Sequence, residues 1–263
     1  MKDWRPGDFL YYLQCNGEDA ESTRTAIAQQ HPDYRNYQPR GLDVLLVAAT
    51  AEQALQARRA LLPQSDRINI SAYGMEQNLP NRRFDEIHLL SPPGKSFALP
   101  PDLTRSAQVL NLHHFDQTEG NPDPRYRHYR WPGLQELTQF WGIFYGAMLD
   151  RPGLLPLDWS QYAAWIIPQA VGHTSCGRGG SSTTAMDALI SATPANWLDN
   201  AWEAVLLMET GADVTLGEYM QMHNRLAAHI ACEITPVTRH INGYRGYSLW
   251  LLAFLTPADT DTQ

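Results

Sequence analysis

The chain has 263 residues, 43% hydrophobic and 18% charged, which is enough apolar material for a substantial core and excludes a disordered chain. Its 20 basic and 28 acidic residues leave a formal net charge of −8, which argues against an extended nucleic-acid-binding surface. The densest basic cluster is Arg125, Arg127, His128 and Arg130.

In chain order, the polar stretch 14–40 predicts a helix over Asp19 to Gln30 and then a loop. Val44 to Ala48 is a continuous apolar run, the pattern of a strand buried on both faces. Thr50 suits the N-cap of a helix from Ala51 to Leu62, and Pro63 ends it. Ile68 to Tyr73 and Glu86 to Leu90 read as strands. Ser91 to Pro101 is proline-rich and marks the best internal boundary, giving an N-terminal α/β segment over 1–100, with a shared domain left open, and a second region over 101–263. Gln108 to Leu112 is the next strand, and Asp116 to Pro124 a polar loop. Leu134 to Leu149 is apolar at helical spacing, and the prolines from Pro152 to Pro156 break it. Ala163 to Ile167 reads as a strand and Gly172 to Gly180 as a glycine-rich loop. Helices are expected over Thr184 to Ile190, Leu198 to Met208 and Leu216 to Ala231, with a docked apolar helix over Tyr247 to Leu255. The fold class is α/β, a central mixed or parallel sheet flanked by helices.

Three cysteines (Cys15, Cys176, Cys232) are too few for a disulfide framework and suit a reducing compartment. No zinc-spaced Cys/His pair occurs, so neither a metal nor a cofactor is expected. No window has the length of a membrane span, and the apolar run Phe9 to Leu13 is short for a signal-peptide core. A cytoplasmic protein is expected, with secretion as an effector without a cleavable signal left open.

The most informative stretch is His173-Thr174-Ser175-Cys176-Gly177-Arg178-Gly179-Gly180-Ser181-Ser182-Thr183, between a predicted strand and a predicted helix. Glycines there would let backbone N–H groups converge on an anion at a helix N-terminus. The stretch resembles the motif H-C-S-A-G-x-G-R-[ST]-G-T of the cysteine-dependent tyrosine phosphatases. Arg130-Trp131-Pro132-Gly133 is similar to that family's W-P-D loop. Asp213 to Leu226 is similar to its V-Q-T-x-x-Q-Y-x-F-x-H-x-x-L segment, keeping Thr215, Tyr219, His223 and Leu226. The three segments keep the family's order and span about residues 107 to 231.

The resemblance implies a phosphatase-like fold without phosphatase chemistry. The thiolate nucleophile is replaced by Thr174, the phosphate-gripping Arg by Gly180, the general acid by Gly133, and a water-positioning Gln by Glu218. A threonine hydroxyl stays protonated, and glycines neither clamp phosphate nor donate a proton. The expectation is therefore a pseudophosphatase, a binding or regulatory module rather than an enzyme. Its partner would be another protein, including a phosphoprotein, with no nucleic acid and no membrane. The loop His173, Thr174, Ser175, Cys176, Gly177, Arg178, Gly179, Gly180 and Ser181 is its candidate anion site.

Two alternatives stand beside it. Cys176 with His113 or His114 could form the dyad of a caspase-like cysteine hydrolase, which requires hydrogen-bond reach between them. A nucleotide module over residues 41–92 is the weaker one, since Ala48-Ala49-Thr50 is small but not glycine-rich.

Overall fold

The structure, a computed structural model, describes residues 41–61, 67–91, 99–115, 123–150, 157, 159–165 and 170–255. The helix expected over Asp19 to Gln30 lies outside the described residues. The described elements belong to the unit Leu42–Gln263.

Strands β1 (Leu42–Ala48), β2 (Ile68–Gly74), β3 (Glu86–Ser91) and β4 (Val109–His114) stand where the apolar runs predict them. Helix α1 (Ala51–Leu61) joins β1 to β2, with Glu52 in its first turn and Arg58 and Arg59 in its last, charges that complement the helix dipole. A short α2 (Pro101–Ser106) precedes β4, and β3 and β4 pair across the proline-rich connection over six residues. β5 (Arg127–Arg130) follows, then α3 (Leu134–Tyr145), which continues into a π-helical turn over Gly146–Asp150. A Cβ at Gly146 would stand 2.5 Å from the Arg239 Nε, so a larger residue at that junction would displace the guanidinium.

Helix α4 (Trp159–Ala163) occupies the start of the stretch read as a strand over Ala163 to Ile167; Ala164 and Trp165 are turn and irregular backbone, and 166–167 lie outside the described residues. β6 (Val171–Gly179) replaces the expected glycine-rich loop. Helix α5 (Ser182–Ala192) matches expectation. The helix expected over Leu198 to Met208 is instead the end of α6 (Ala195–Asn200) followed by strand β7 (Ala201–Gly211). Helix α7 (Leu216–Ala227) leads to β8 (Glu233–Ile241). The docked helix expected over Tyr247 to Leu255 is β9, with the same bounds.

The nine strands among the described residues form one sheet in the order β2-β1-β3-β4-β5-β6-β9-β7-β8. Every neighbouring pair is parallel except the two made by β9. β9 therefore runs against the other eight and is buried between β6 and β7, which is why its sequence is apolar from Leu249 to Leu255. Gly243, with φ 77°, makes the turn between β8 and β9 that an L side chain would strain. Along β7 and β9 alternate residues enter different cores: Val205, Leu207, Trp250, Leu252 and Phe254 face α3, and Ala204, Leu206, Met208, Leu249 and Leu251 face α5 and α7. The edge strand β8 carries Pro236, a residue that central strands do not accept.

Candidate functional site

In a mostly parallel α/β sheet, ligands bind beyond the carboxyl ends of the strands, where successive connections leave in opposite directions. Here that point lies between β1, which leads through α1 to β2, and β3 on its other side. The N-terminus of α1 is already occupied there. The Ala51 N–H donates to Glu76 Oε1 at 2.8 Å, and the Gln53 N–H to its N-cap, Thr50 Oγ1, at 3.2 Å. The loop after β2 that carries Glu76 is held by Met75 N–H to the Ala48 carbonyl and by Gly74 N–H to Gln77 Oε1, both at 2.9 Å. A Cβ at Gly74 would overlap the Ala51 nitrogen and the Glu76 carboxylate, so glycine is what lets this loop close onto the helix. An internal carboxylate thus sits where a helix N-terminus would hold an anionic ligand. Nothing in the sequence pairs Glu76 with Ala51, 25 positions away.

The stretch read as a glycine-rich loop is a strand over Val171–Gly179, which corrects its secondary structure, and only Gly180 and Ser181 of the candidate anion site lie beyond the strand. Val171 to Gly179 pair one for one with Leu255 to Tyr247 of β9. In a strand the backbone N–H groups lie in the sheet plane and cannot converge on one anion. Gly177 and Gly179 serve helix packing: a Cβ at Gly177 would overlap the Leu189 nitrogen and the Ala185 carbonyl, and one at Gly179 would meet Thr184 and Ala185 of α5. Thr174 and Ser175 are buried. Ser175 Oγ lies 2.6 Å from Thr193 Oγ1, which donates to the Leu189 carbonyl, so the serine is the donor of that pair. Cys176 packs against the core on the α3 side. Arg178 donates to Gln139 Oε1 at 3.0 Å. His173 lies against Trp197, with ring centroids 4.9 Å apart, and burial, aided by Arg130, lowers it to about 4. Ser181 caps α5 by accepting the Thr184 N–H, and Gly180 beside it faces open space.

The other replaced positions also have structural roles. Gly133 is the N-cap of α3 in extended backbone. Glu218 forms a capping box with Thr215 at the start of α7 and accepts the Tyr247 hydroxyl at 3.0 Å. The cysteine–histidine dyad is not formed. His113 bonds His88 through one ring nitrogen and Trp131 through the other, and His114 bonds His128. In register, His113 aligns with Tyr129 and through it with Gly172, so Cys176 lies four residues further along, about 13 Å at 3.3 Å per residue.

The structure does assemble one polar cluster that the sequence did not announce. Glu86, His88, Asn111 and His113 are fully buried on the sheet face beneath α3. Glu86 accepts from Tyr145 at 2.6 Å, Tyr162 at 2.5 Å and Asn111 at 2.5 Å. Burial alone would raise the Glu86 carboxyl, and the hydrogen bonds it accepts from His88, Tyr145 and Tyr162 oppose that rise. Burial also drives His113 well below the ordinary histidine value, with His88 and His114 adding to the effect, and raises Tyr145 and Tyr162 well above the tyrosine value. Burial keeps this cluster from acting on a diffusing substrate, and its visible work is to tie α3 and α4 to β3 and β4. Among the described residues no group of His, Cys, Asp or Glu could hold a metal ion, and no helix is long and apolar enough to cross a membrane.

Fold and site together define a mixed α/β protein with a central, mostly parallel sheet flanked by helices. Among solved structures, the chain is similar to FtsZ and CetZ proteins. A single-substitution mutant of FtsZ from M. jannaschii matches with 9% identity over 91% of this chain and 96% of that one, TM-score 0.49. The GDP-bound monomer of CetZ1 from Haloferax volcanii matches with 12% identity over 88% and 72%, TM-score 0.39. CetZ2 from the same organism, a GTPγS-bound protofilament, matches with 9% identity over 89% and 70%, TM-score 0.38. No family model matches the chain, and no curated protein matches it in sequence. Val171 to Gly179 form a paired strand where the phosphatase motif needs a loop, and His113 and His114 are bonded to partners other than Cys176, so the pseudophosphatase reading and its caspase-like alternative are both corrected.

Proposed function

We propose that this chain is a protein-binding α/β module, including binding to further copies of itself, whose anion position at the sheet's switch point is sealed from within. The observation that carries the sealing is the Glu76 carboxylate on the Ala51 N–H at 2.8 Å. A phosphate group would have to displace a tethered anion before reaching the helix N-terminus. A protein contact is supported by α7, where Leu216 and Met220, one turn apart, are 50% and 45% exposed. The strip they share with Gly217, Gln221 and Asn224 carries no charge, because Glu218 turns to Thr215 and Tyr247, and Arg225 to Asp187. An uncharged strip on a chain of net charge −8 is where a partner of like charge meets least repulsion.

The test has two arms. Thermal melts with GDP, GTPγS, ATP and inorganic phosphate should show no shift for the native chain, and a shift of several degrees overturns the sealed site. Sedimentation at rising concentration, with and without a chemically defined partner panel, should show association that Leu216→Glu with Met220→Glu abolishes. Equal association by that folded variant overturns the α7 contact.

A further inference from the structure

The buried cluster beneath α3 has a direction that one residue dictates. An indole N–H can only donate a hydrogen bond. The Trp131 Nε1 lies 2.9 Å from His113 Nδ1, so that nitrogen must present its lone pair. The single proton of the neutral ring is then on His113 Nε2, which lies 2.7 Å from His88 Nδ1. His88 Nδ1 must accept in turn, which places the His88 proton on Nε2, 2.6 Å from the Tyr145 hydroxyl. That hydroxyl donates to Glu86 Oε2 at 2.6 Å. We infer that Trp131, His113, His88, Tyr145 and Glu86 form a one-way hydrogen-bond wire that has no place for a further proton on either imidazole, and that α3 is latched to the sheet only while both rings stay neutral.

The argument closes from both sides. A second proton on His113 would sit on Nδ1 and face the Trp131 N–H. A second proton on His88 would sit on Nδ1 and face the His113 Nε2–H. Either event sets two donors against each other in a site without water-exposed atoms to relieve them. The surrounding groups do not change this outcome. Around the rings stand Glu86 on β3, Asn111 and His114 on β4, Arg127 and Tyr129 on β5 with Trp131 just beyond it, Trp141 and Tyr145 on α3, and Tyr162 on α4. Arg127 disfavours a nearby cation. Among the described residues Glu86 is the carboxylate beside His88, with Glu86 Oε1 3.4 Å from the His88 Nε2 that carries the proton, and a second proton would have to sit on Nδ1. That proton would still have to point at His113, so the contact is a neutral ring against a carboxylate, not an ion pair. Breaking the wire frees Tyr145 from Glu86 and uncovers the inward face of α3, where Phe140, Trp141 and Phe144 are buried. The cluster is a latch that acid opens.

Two measurements test it. Nitrogen-15 NMR of histidine-labelled full chain at pH 7.5 should show His88 and His113 as neutral rings protonated at Nε2. An Nδ1–H tautomer or an imidazolium at either position overturns the wire. The proton uptake on urea unfolding, read from the pH dependence of stability between pH 5 and 6.5, should then be compared with that of Trp131→Phe. Without the indole donor the clash at His113 Nδ1 is gone and burial alone opposes a proton there, so uptake on unfolding falls by part of a proton per molecule. A purely packing role for Trp131 lowers stability and leaves that slope unchanged, and an unchanged slope overturns the inference. Should Trp131→Phe not fold, the tautomer assignment on the native chain decides alone.

Discussion

The carboxylate of Glu76 accepts the N–H of Ala51 at 2.8 Å, 25 residues away in sequence and directly at the first turn of α1. This contact joins the loop after β2 to the helix that precedes β2, so it fixes both ends of one crossover. Glu76→Ala should therefore destabilise the chain by about 1 kcal/mol, the usual scale for losing an N-terminal cap. Glu76→Gln keeps an acceptor but not the charge and should lose less. Urea titration at low and high salt checks this, with the native-minus-Gln difference shrinking as salt rises.

Gly177 and Gly180 separate a strand from an anion loop. In an anion loop both would matter for the backbone cradle. In the structure a Cβ at Gly177 meets the backbone of α5, while one at Gly180 meets nothing within 4 Å. Gly177→Ala should cost about 1–3 kcal/mol or more through overpacking against an unyielding helix backbone. Gly180→Ala should stay within about 0.5 kcal/mol of native. Comparable losses at both positions would contradict the packing account.

The parts of the fold that were legible in the sequence are those with a local signature. Val44 to Ala48, Ile68 to Tyr73 and Glu86 to Leu90 lie between clear breakers, and each became a strand. β7 and β9 were misread for a physical reason. A strand covered on both faces shows no alternation, and Ala, Glu, Leu and Met in Ala201 to Met208 favour helix until tertiary pairing overrides them. β6 was misread because its glycines fit a loop motif as well as they fit helix contact, and only the position of α5 distinguishes the two. The candidate sites were the least legible. Glu86 meets Tyr145 and Tyr162 across 59 and 76 residues, and such separations leave no mark on spacing.

His173 should make stability fall in acid. Its folded value is lowered to about 4 by burial and by Arg130, against about 6.5 when unfolded. Below 6.5 the unfolded chain takes a proton that the folded chain refuses, so the contribution is complete above 6.5 and is lost progressively as pH falls toward 4. The slope for one such histidine is at most about 1.4 kcal/mol per pH unit, and less here because the ring is partly open to solvent. His173→Gln cannot take the proton and should flatten stability against pH in that window. Urea midpoints at half-unit pH steps measure it, and an unchanged curve would remove His173 from the acid response.

Thr215 and Glu218 close the N-terminus of α7 by reciprocal bonds: the Glu218 N–H donates to Thr215 Oγ1 at 3.3 Å, and the Thr215 N–H donates to Glu218 Oε2 at 2.9 Å. The same carboxylate also accepts the Tyr247 hydroxyl, which ties the helix start to β9. Backbone and hydroxyl donors hold Glu218 below the usual carboxylate range. Thr215→Ala should cost about 1 kcal/mol by removing the cap that covers the Glu218 N–H. Thr215→Ser retains the hydroxyl and should recover most of it. Because α7 presents Leu216 in this first turn and Met220 one turn on, Thr215→Ala should also weaken any association through them, whereas Ser181→Ala, which uncaps α5, should cost similar stability and leave association intact. Denaturant titration and sedimentation on the two variants separate a general loss of stability from a local loss of the α7 surface.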